Sequence, residues 1–225
     1  MGKVTALVSA YYAEDYLPQR LENLLNQVPA PEVIVVCQQG SAEAHIVKDY
    51  PVRVIVTPDI PTISAAWNMA IRAASGDYCV VANTDDTFHP GALGKMARIL
   101  DAHSDIGYVF CDDELIVNGE IQRRTDRTRT GQSGRLKHAA RLLSARYFCG
   151  STPMWRKSLH ATYGYFDEAL VVAADYDCAL RLARGNVGIW YIPESVGYYP
   201  IRPDSLEHRN QERCRTESRM IRGLI

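Results

Sequence analysis

Acidic residues at the end of one apolar run are the strongest candidates for chemistry in this sequence. Asn83-Thr84-Asp85-Asp86 directly follows the apolar run 77–82, which Gly76 separates from the preceding helical pattern. This pattern predicts a buried strand with two carboxylates at its carboxyl end, the edge where open α/β sheets bind ligands. The adjacent carboxylates repel each other by about 4 kcal/mol at a surface-like dielectric. A divalent cation would relieve this repulsion and bind a diphosphate; the alternative is a solvated turn before the helix predicted from Pro90.

A second pair of carboxylates, Asp175 and Asp177, begins the helical pattern 175–184. Carboxylates in a first helical turn are stabilised by the helix macrodipole. The residues alone therefore favour a structural role for this pair, as carboxylates that stabilise the start of a helix.

The elements that must position these residues alternate through the first half of the chain. Apolar runs indicate buried strands, and apolar residues spaced three and four apart indicate helices. The β-α-β-α order predicts a parallel sheet with helices on both faces. The predicted strands are 4–10, 33–37, 52–56, 77–82 and 107–111, and the predicted helices are 16–28, 41–49, 62–74 and 90–103.

The second half is less regular. Asn118-Gly119 between apolar residues predicts a β-hairpin within 114–121. The segment 122–141 is basic and nearly devoid of large apolar residues, which predicts a long loop that runs into a helix. Further predicted elements are helices 155–162 and 175–184, a strand pair within 188–199 and a charged helix from 205 to the end. Without repeats or low-complexity linkers, the pattern indicates a single domain.

Composition excludes several classes of protein. The 225 residues carry a net charge of −1, so no global field favours nucleic acid or an anionic membrane. None of the six cysteines forms a C-x-x-C pair, which favours free thiols in a reducing compartment. Neither a signal-peptide core nor an apolar stretch of about 20 residues is present. The absence of G-x-G-x-x-G and of a P-loop disfavours dehydrogenases and P-loop enzymes. We expect a soluble, cytoplasmic protein.

Taken together, the ordered motifs resemble glycosyltransferase family 2, the inverting GT-A enzymes that use nucleotide sugars. The resemblance runs over nearly the whole chain, and its strength lies in the order of the motifs. They are Leu7-Val8-Ser9-Ala10-Tyr11-Tyr12, Leu24-Leu25-Asn26-Gln27, Val33-Ile34-Val35-Val36, Ala65-Ala66-Trp67-Asn68-Met69-Ala70-Ile71, Asn83-Thr84-Asp85-Asp86, Gly164-Tyr165-Phe166-Asp167-Glu168 and Ala174-Asp175-Tyr176-Asp177. The resemblance implies a Rossmann-like, mostly parallel α/β sheet with helices on both faces plus a smaller acceptor-side region. It divides the chain into a nucleotide-sugar-binding half at 1–112 and an acceptor-side half at 113–225.

The resemblance also implies roles for the acidic residues. Asp85 matches the family's metal-binding Asp and becomes the ligand for Mn²⁺ or Mg²⁺, hard cations that prefer carboxylate oxygens. Asn83 replaces the usual first Asp of the motif, so it offers hydrogen bonds to the donor without charge. Asp86 supports the donor site. Asp175 matches the family's general base, and Ala174 stands where an acidic neighbour is usual.

The remaining donor-binding predictions follow the same motifs. Ser9 and Tyr11, at the end of the first predicted strand, are expected to line the nucleotide pocket, and Asn68 belongs to the helix that precedes the acidic strand. Gln38-Gln39 replaces a pair of aspartates, so Gln39 contacts the base without charge. Arg202 stands at a family histidine position and binds phosphate rather than metal.

The expected function is metal-dependent transfer of a sugar from a nucleoside-diphosphate sugar to a hydroxyl of a glycan or lipid-linked acceptor, with inversion, in surface polysaccharide synthesis. The alternative is a catalytically inactive GT-A-like nucleotide-binding or scaffold protein, which Asn83, Gln39 and Ala174 favour. The basic segment 122–141 is interpreted as a solvated loop, a diphosphate lid, an acceptor site or a contact with lipid headgroups. Peripheral attachment to the inner face of the membrane and a homodimer are further predictions, and no nucleic-acid partner is expected.

Overall fold

Strands and helices alternate through the first half of the molecule, as the sequence predicts. The computed structural model describes residues 1–124 and 132–223. The first half contains β1 (Val4–Ala10), α1 (Leu17–Leu25), β2 (Glu32–Gln38), α2 (Ala42–Ile46), a 3₁₀ turn (Val47–Asp49), β3 (Arg53–Thr57), α3 (Ile63–Ala73), β4 (Tyr78–Val81), β5 (Thr87–Phe88), α4 (Ala92–Ala102) and β6 (Ile106–Val117). The second half contains β7 (Glu120–Arg124), β8 (Gly134–Arg135), α5 (Ala139–Ala145), β9 (Met154–Arg156), α6 (Leu159–Tyr163), α7 (Ala174–Arg184), β10 (Gly188–Pro200), α8 (Leu206–Arg209) and α9 (Gln211–Ile221).

One mixed sheet organises these strands in the order β3-β2-β1-β4-β9-β6-β10-β5, with β7 beside β6 and β8 beside β10. The pairs β1–β2, β1–β4, β2–β3 and β6–β10 are parallel. The short strand β9 lies antiparallel between β4 and β6. The expectation of a mostly parallel α/β sheet is confirmed, with an antiparallel strand at its centre.

Apolar side chains cover both faces of the sheet. Along β1, Leu7 faces the core beneath α3 and α7, whereas Val8 faces the core beneath α1 and α4. Because the central strands are buried on both faces, they read as continuous apolar runs rather than as alternating patterns. On the α1 face, Leu21 is fully buried, and such a side chain contributes about 1.5–3 kcal/mol.

Two predictions about the second half are wrong. Residues 155–157 do not begin a helix, because Trp155 lies in β9, where it is buried between two strands; the helix α6 begins only at Leu159. The predicted strand pair within 188–199 is a single strand, β10, whose register against β6 shifts between Ile192 and Ser195 and again before Tyr198. Polar residues that resemble a turn therefore mark an irregularity in a continuous strand.

Local signals account for the boundaries that were predicted well. The Thr62 hydroxyl accepts a hydrogen bond from the Ala65 N–H and caps α3. Asn118 and Gly119 both have positive φ, 53° and 84°, as the two-residue turn between β6 and β7 requires. The hairpin prediction is confirmed.

The basic segment 122–141 is only partly described. Its residues 125–131, with Arg127 and Arg129, lie outside the described residues. Around this gap, β7 extends through Arg124, β8 pairs with β10, and α5 begins at Ala139. Within the described ranges, no helix combines the length and apolar character of a membrane span. All six cysteines lie in the described residues, and none of them forms a disulfide bond there.

Candidate active site

A cleft of about 930 Å³ opens at the carboxyl ends of β1 and β4 and extends to α7 and the chain that follows β10. Its walls bring together predicted residues that are far apart in sequence. Those in the cleft are Ser9, Tyr11, Asn83, Asp85, Asp175 and Arg202. Gln39, Asn68 and Asp86 lie outside its lining. The cleft therefore joins residues from both predicted halves of the chain.

The two adjacent aspartates have different environments. Asp85 lines the cleft with its side chain 23% exposed, whereas Asp86 is buried beneath it. The Asn83 side-chain N–H donates to Asp86 Oδ2 at 3.2 Å. Burial, and then the charge of Asp85, raise the pKa of Asp86 to about 7, although Arg20 opposes this shift. Asp85 is thus the carboxylate of the pair that can reach a ligand.

Arg20, which was not predicted to be part of the site, is a buried cation close to Asp85 and Asp86. Its side chain is fully buried, Nη1 donates to Asn23 Oδ1 at 3.0 Å, and the guanidinium lies 4.5 Å from the centre of the Phe88 ring. Burial lowers the pKa of Arg20 to about 10, while Asp86 and Asp85 oppose this shift. The sequence signal was its position on the apolar face of α1, three residues after Leu17.

Arg202, in the chain that follows β10, lies next to Asp85 in the cleft. Its Nε lies 3.6 Å from Asp85 Oδ2 and 3.4 Å from Asp204 Oδ1, and its guanidinium lies 4.3 Å from the centre of the Tyr16 ring. Within the described part of the chain, its buried Nε and Nη1 atoms have no hydrogen-bond partner. A guanidinium held against a ring, with unused donors in a cleft, is suited to bind phosphate oxygens.

Asp175 lies in the first turn of α7, where its Oδ1 accepts a hydrogen bond from the Tyr176 N–H at 2.7 Å. Burial raises the pKa of Asp175 to about 6, against the opposing effects of this hydrogen bond and one from the Tyr147 hydroxyl, while the charge of Glu207 adds to the rise. A carboxylate with this pKa is ionised near neutral pH and accepts protons more readily than an ordinary Asp.

The part of the cleft beside β1 is aromatic. Tyr11 is 46% exposed, and its ring centre lies 4.4 Å from that of Tyr12. Gln39 is exposed at the turn after β2, where its backbone N–H donates to the Thr57 carbonyl at 2.8 Å. Tyr11 and Ser9 thus line the cleft, whereas Gln39 lies outside its lining.

Asn68 lies outside the cleft lining, and its side chain contacts other parts of the protein. It is buried in α3, and its Nδ2 donates to the Phe166 carbonyl at 2.9 Å and to Glu168 Oε1 at 2.7 Å. Its Oδ1 accepts a hydrogen bond from the Phe166 N–H at 3.0 Å. Because these contacts occupy its amide, Asn68 ties α3 to the segment before α7.

Other residues of the site were not among the predicted site residues. Tyr147 and Glu207 both act on Asp175, as described above, and both line the cleft. Tyr199 lines the cleft, and its hydroxyl lies 3.5 Å from Glu207 Oε2. Asp113 in β6 also lines the cleft. Only its membership of the unusual run Asp112-Asp113-Glu114 within a buried strand could have drawn attention to it.

The donor set for a metal ion at Asp85 is small. Among the described residues, no group of three or more His, Cys, Asp or Glu side chains could hold a metal ion. Asp85 offers a carboxylate, and the buried Asn83 Oδ1 has no hydrogen-bond partner in the described structure. One or two protein oxygens fit the way Mg²⁺ binds when substrate phosphates and water complete the coordination. The residues therefore fit a metal that arrives with a diphosphate.

Comparison with known proteins identifies the family. The model for "Glycosyl transferase family 2" matches residues 5–164, which is more than half of the chain. The chain belongs to glycosyltransferase family 2, and this prediction from the sequence is confirmed. It is 29% identical over 193 residues to the uncharacterized glycosyltransferase YwdF of Bacillus subtilis (strain 168), covering 81% of this chain and 68% of YwdF. It is 29% identical over 216 residues to the succinoglycan biosynthesis protein ExoO of Rhizobium meliloti (strain 1021), covering 90% of this chain and 62% of ExoO.

Solved structures share the GT-A fold. S. aureus TarS 1-349 in complex with UDP-GlcNAc superposes with a TM-score of 0.74 at 20% identity, over 90% of this chain and 60% of that one. The mannosyltransferase PcManGT from Pyrobaculum calidifontis, in complex with GDP-Man and Mn2+, superposes with a TM-score of 0.69 at 17% identity, over 94% of this chain and 61% of that one. This chain therefore spans roughly three fifths of these two solved chains. The predicted fold is confirmed.

We predict that Asn68→Ala destabilises the protein by about 3 kcal/mol, because it leaves the buried Phe166 N–H and carbonyl without partners. Asn68→Asp should be at least as destabilising, since it loses the amide donors and places a second carboxylate beside Glu168. Urea unfolding measures both variants. An unchanged midpoint together with weaker nucleotide binding would restore the binding role.

Proposed function

We propose that this protein transfers a sugar from a nucleoside-diphosphate sugar to an acceptor hydroxyl, with a divalent metal ion and with inversion at the anomeric carbon. The observation that carries the proposal is that Asp85 and Asp175 line one cleft at the carboxyl edge of the sheet. Family membership supports the class of reaction. The two carboxylates supply the two functions that such a reaction needs, one on the donor and one on the acceptor.

On the donor side, Asp85 and Asn83 would hold Mn²⁺ or Mg²⁺. When bound, the metal stabilises the charge of the departing diphosphate. Arg202 releases its long contact with Asp85 and donates to the phosphate oxygens, with Tyr16 keeping the guanidinium plane in place. Ser9 and Tyr11 contact the nucleoside, and stacking on an exposed tyrosine suits a flat base. Asp86 and Arg20 hold the motif from below.

On the acceptor side, Asp175 acts as the general base. It takes the proton of the acceptor hydroxyl as that oxygen attacks the anomeric carbon from the face opposite the diphosphate. A positioned base contributes about 10²–10⁴ to the rate. The hydrogen bond from the Tyr176 N–H fixes the carboxylate, while its burial keeps it basic enough for this role. Attack from the opposite face inverts the configuration of the sugar.

The relatives indicate the kind of substrate. TarS was solved with UDP-GlcNAc and PcManGT with GDP-Man, so one fold serves different nucleotides. ExoO is named for the biosynthesis of succinoglycan, which supports a role for this protein in polysaccharide synthesis with a glycan or lipid-linked acceptor. A cytoplasmic location, peripheral membrane contact and a homodimer stay predictions.

The rate of the proposed reaction should depend on pH. Asp175 works only when ionised, and its pKa is raised to about 6. We therefore expect kcat/KM to fall as pH decreases through 6, by about tenfold at pH 5. Asp175→Asn should lower the rate by a factor of about 10²–10⁴ and abolish this decrease of kcat/KM at low pH. Rates of sugar transfer or donor hydrolysis between pH 5 and 8 measure both effects.

Asp177→Asn is the matched control, because Asp177 is on the same helix but pairs with Arg181 at 2.8 Å, outside the cleft lining. It should keep the rate and the pH profile. A pH profile that stays flat down to pH 5, or an Asp175→Asn variant as active as the parent, would contradict the assignment of the base.

Stabilisation by a nucleotide should depend on the metal. One nucleoside diphosphate of a panel should raise the melting temperature more with Mn²⁺ than without it. At 100 times its dissociation constant, it should add about 2.7 kcal/mol of stability. Asp85→Asn should lose the metal-dependent part and keep a smaller shift from the nucleotide alone. Stabilisation without turnover of any nucleotide sugar would favour the inactive binding protein.

A further inference from the structure

Glu217 on α9 holds the backbone that leads into α7. Its carboxylate is buried, with 4% exposure, and accepts hydrogen bonds from three successive backbone N–H groups. Oε1 accepts from Val171 at 2.9 Å, and Oε2 accepts from Val172 at 2.9 Å and from Ala173 at 3.0 Å. Despite burial, these bonds and that from Arg213 lower the pKa of Glu217, so it is charged at neutral pH.

These contacts fix the backbone that enters α7. Ala173 is the N-cap residue of α7 and has no side chain that can accept a hydrogen bond from the first helical turn. Glu217, on a helix 44 residues later in the chain, binds the Ala173 N–H and places a negative charge near the positive end of the helix dipole. Asp175 follows Ala173 by two residues. The position of the candidate base therefore depends on α9.

The C-terminal segment also forms a wall of the cleft. Leu206, Glu207, Asn210, Cys214 and Ser218 all line it, although α8 and α9 are the last elements of the described chain. From the sequence, this region was predicted only to be a charged helix. The structure makes it part of the acceptor side, and Glu217 is the buried residue that joins it to the segment carrying Asp175.

We propose that Glu217 is a positioning residue for Asp175, and that through it α9 sets the geometry of the acceptor side. This inference rests on the proposed function of Asp175 as base. Loss of Glu217 frees the 171–173 backbone and lets the Asp175 carboxylate depart from the line of attack. Small displacements of a reacting group lower the rate by up to about 100-fold without affecting the donor site.

Three variants of the full chain test the proposal in a graded way. Glu217→Ala removes all three backbone contacts, whereas Glu217→Gln keeps one oxygen acceptor and replaces the other with an N–H group. Arg213→Met removes the charged partner of Glu217 and leaves its backbone contacts in place. Glu212→Ala is the control, because Glu212 is exposed on the same helix and outside the cleft lining.

Kinetics are measured well below each melting temperature. We expect kcat to fall about 10- to 100-fold in Glu217→Ala and less in Glu217→Gln, with donor KM changed by no more than about twofold. Arg213→Met and Glu212→Ala should stay within about threefold of the parent. Variants that melt earlier but keep the parental kcat would show a merely structural role and overturn the proposal.

Hydrogen exchange separates this inference from the proposed function. In Glu217→Ala, the amides of 171–173 should exchange at least about tenfold faster, whereas amides of the β1–β4 sheet should not change. If the parent chain turns over no nucleotide sugar, the proposed function fails, and the exchange data alone decide whether Glu217 holds this segment. Unchanged exchange at 171–173 would overturn the proposal in either case.

Discussion

The accumulation of carboxylates at one edge of the sheet is the constraint on which the rest of the site depends. Asp85, Asp113, Asp175 and Glu207 line one cleft, and Asp86 lies buried beneath it. Burial raises the pKa of both Asp86 and Asp175. The structure places Arg20 below the acidic motif and Arg202 beside it, so positive charge meets Asp85 from two sides. A ligand that brings a cation and phosphates would complete this balance of charge.

Sequence patterns predicted the regular half of the molecule because local and global preferences agree there. The apolar runs of β1 to β4 match strands buried on both faces, and Thr62 and Asn118-Gly119 mark boundaries through their own hydrogen bonds and dihedral angles. The errors occurred where tertiary contacts override local preference. Trp155 lies in a helical pattern, but the gap between β4 and β6 makes it part of a strand.

At the site too, residues in local sequence motifs were easier to predict than residues placed by tertiary contacts. Asp85, Asp175, Ser9 and Tyr11 were predicted because they belong to motifs with a fixed order along the chain, and all four line the cleft. Asn68 belongs to such a motif too, yet its amide is used to join α3 to Phe166. Arg20, Tyr147 and Glu217 belong to no motif, since their roles arise from contacts between distant segments. A pattern identifies which residue types are present, whereas only the packed structure shows which ones face the cleft.

Metal binding by Asp85, together with the diphosphate of a nucleotide sugar, underlies the proposed function. Anomalous diffraction from crystals grown with Mn²⁺ and the nucleoside diphosphate that stabilises the protein most would test it. We expect one strong peak about 2 Å from an Asp85 carboxylate oxygen and beside the phosphates, and the loss of this peak in Asp85→Asn. If nucleotide binds in the cleft without an anomalous peak at Asp85, or if the Mn²⁺ peak lies beside other residues, metal binding by Asp85 is contradicted.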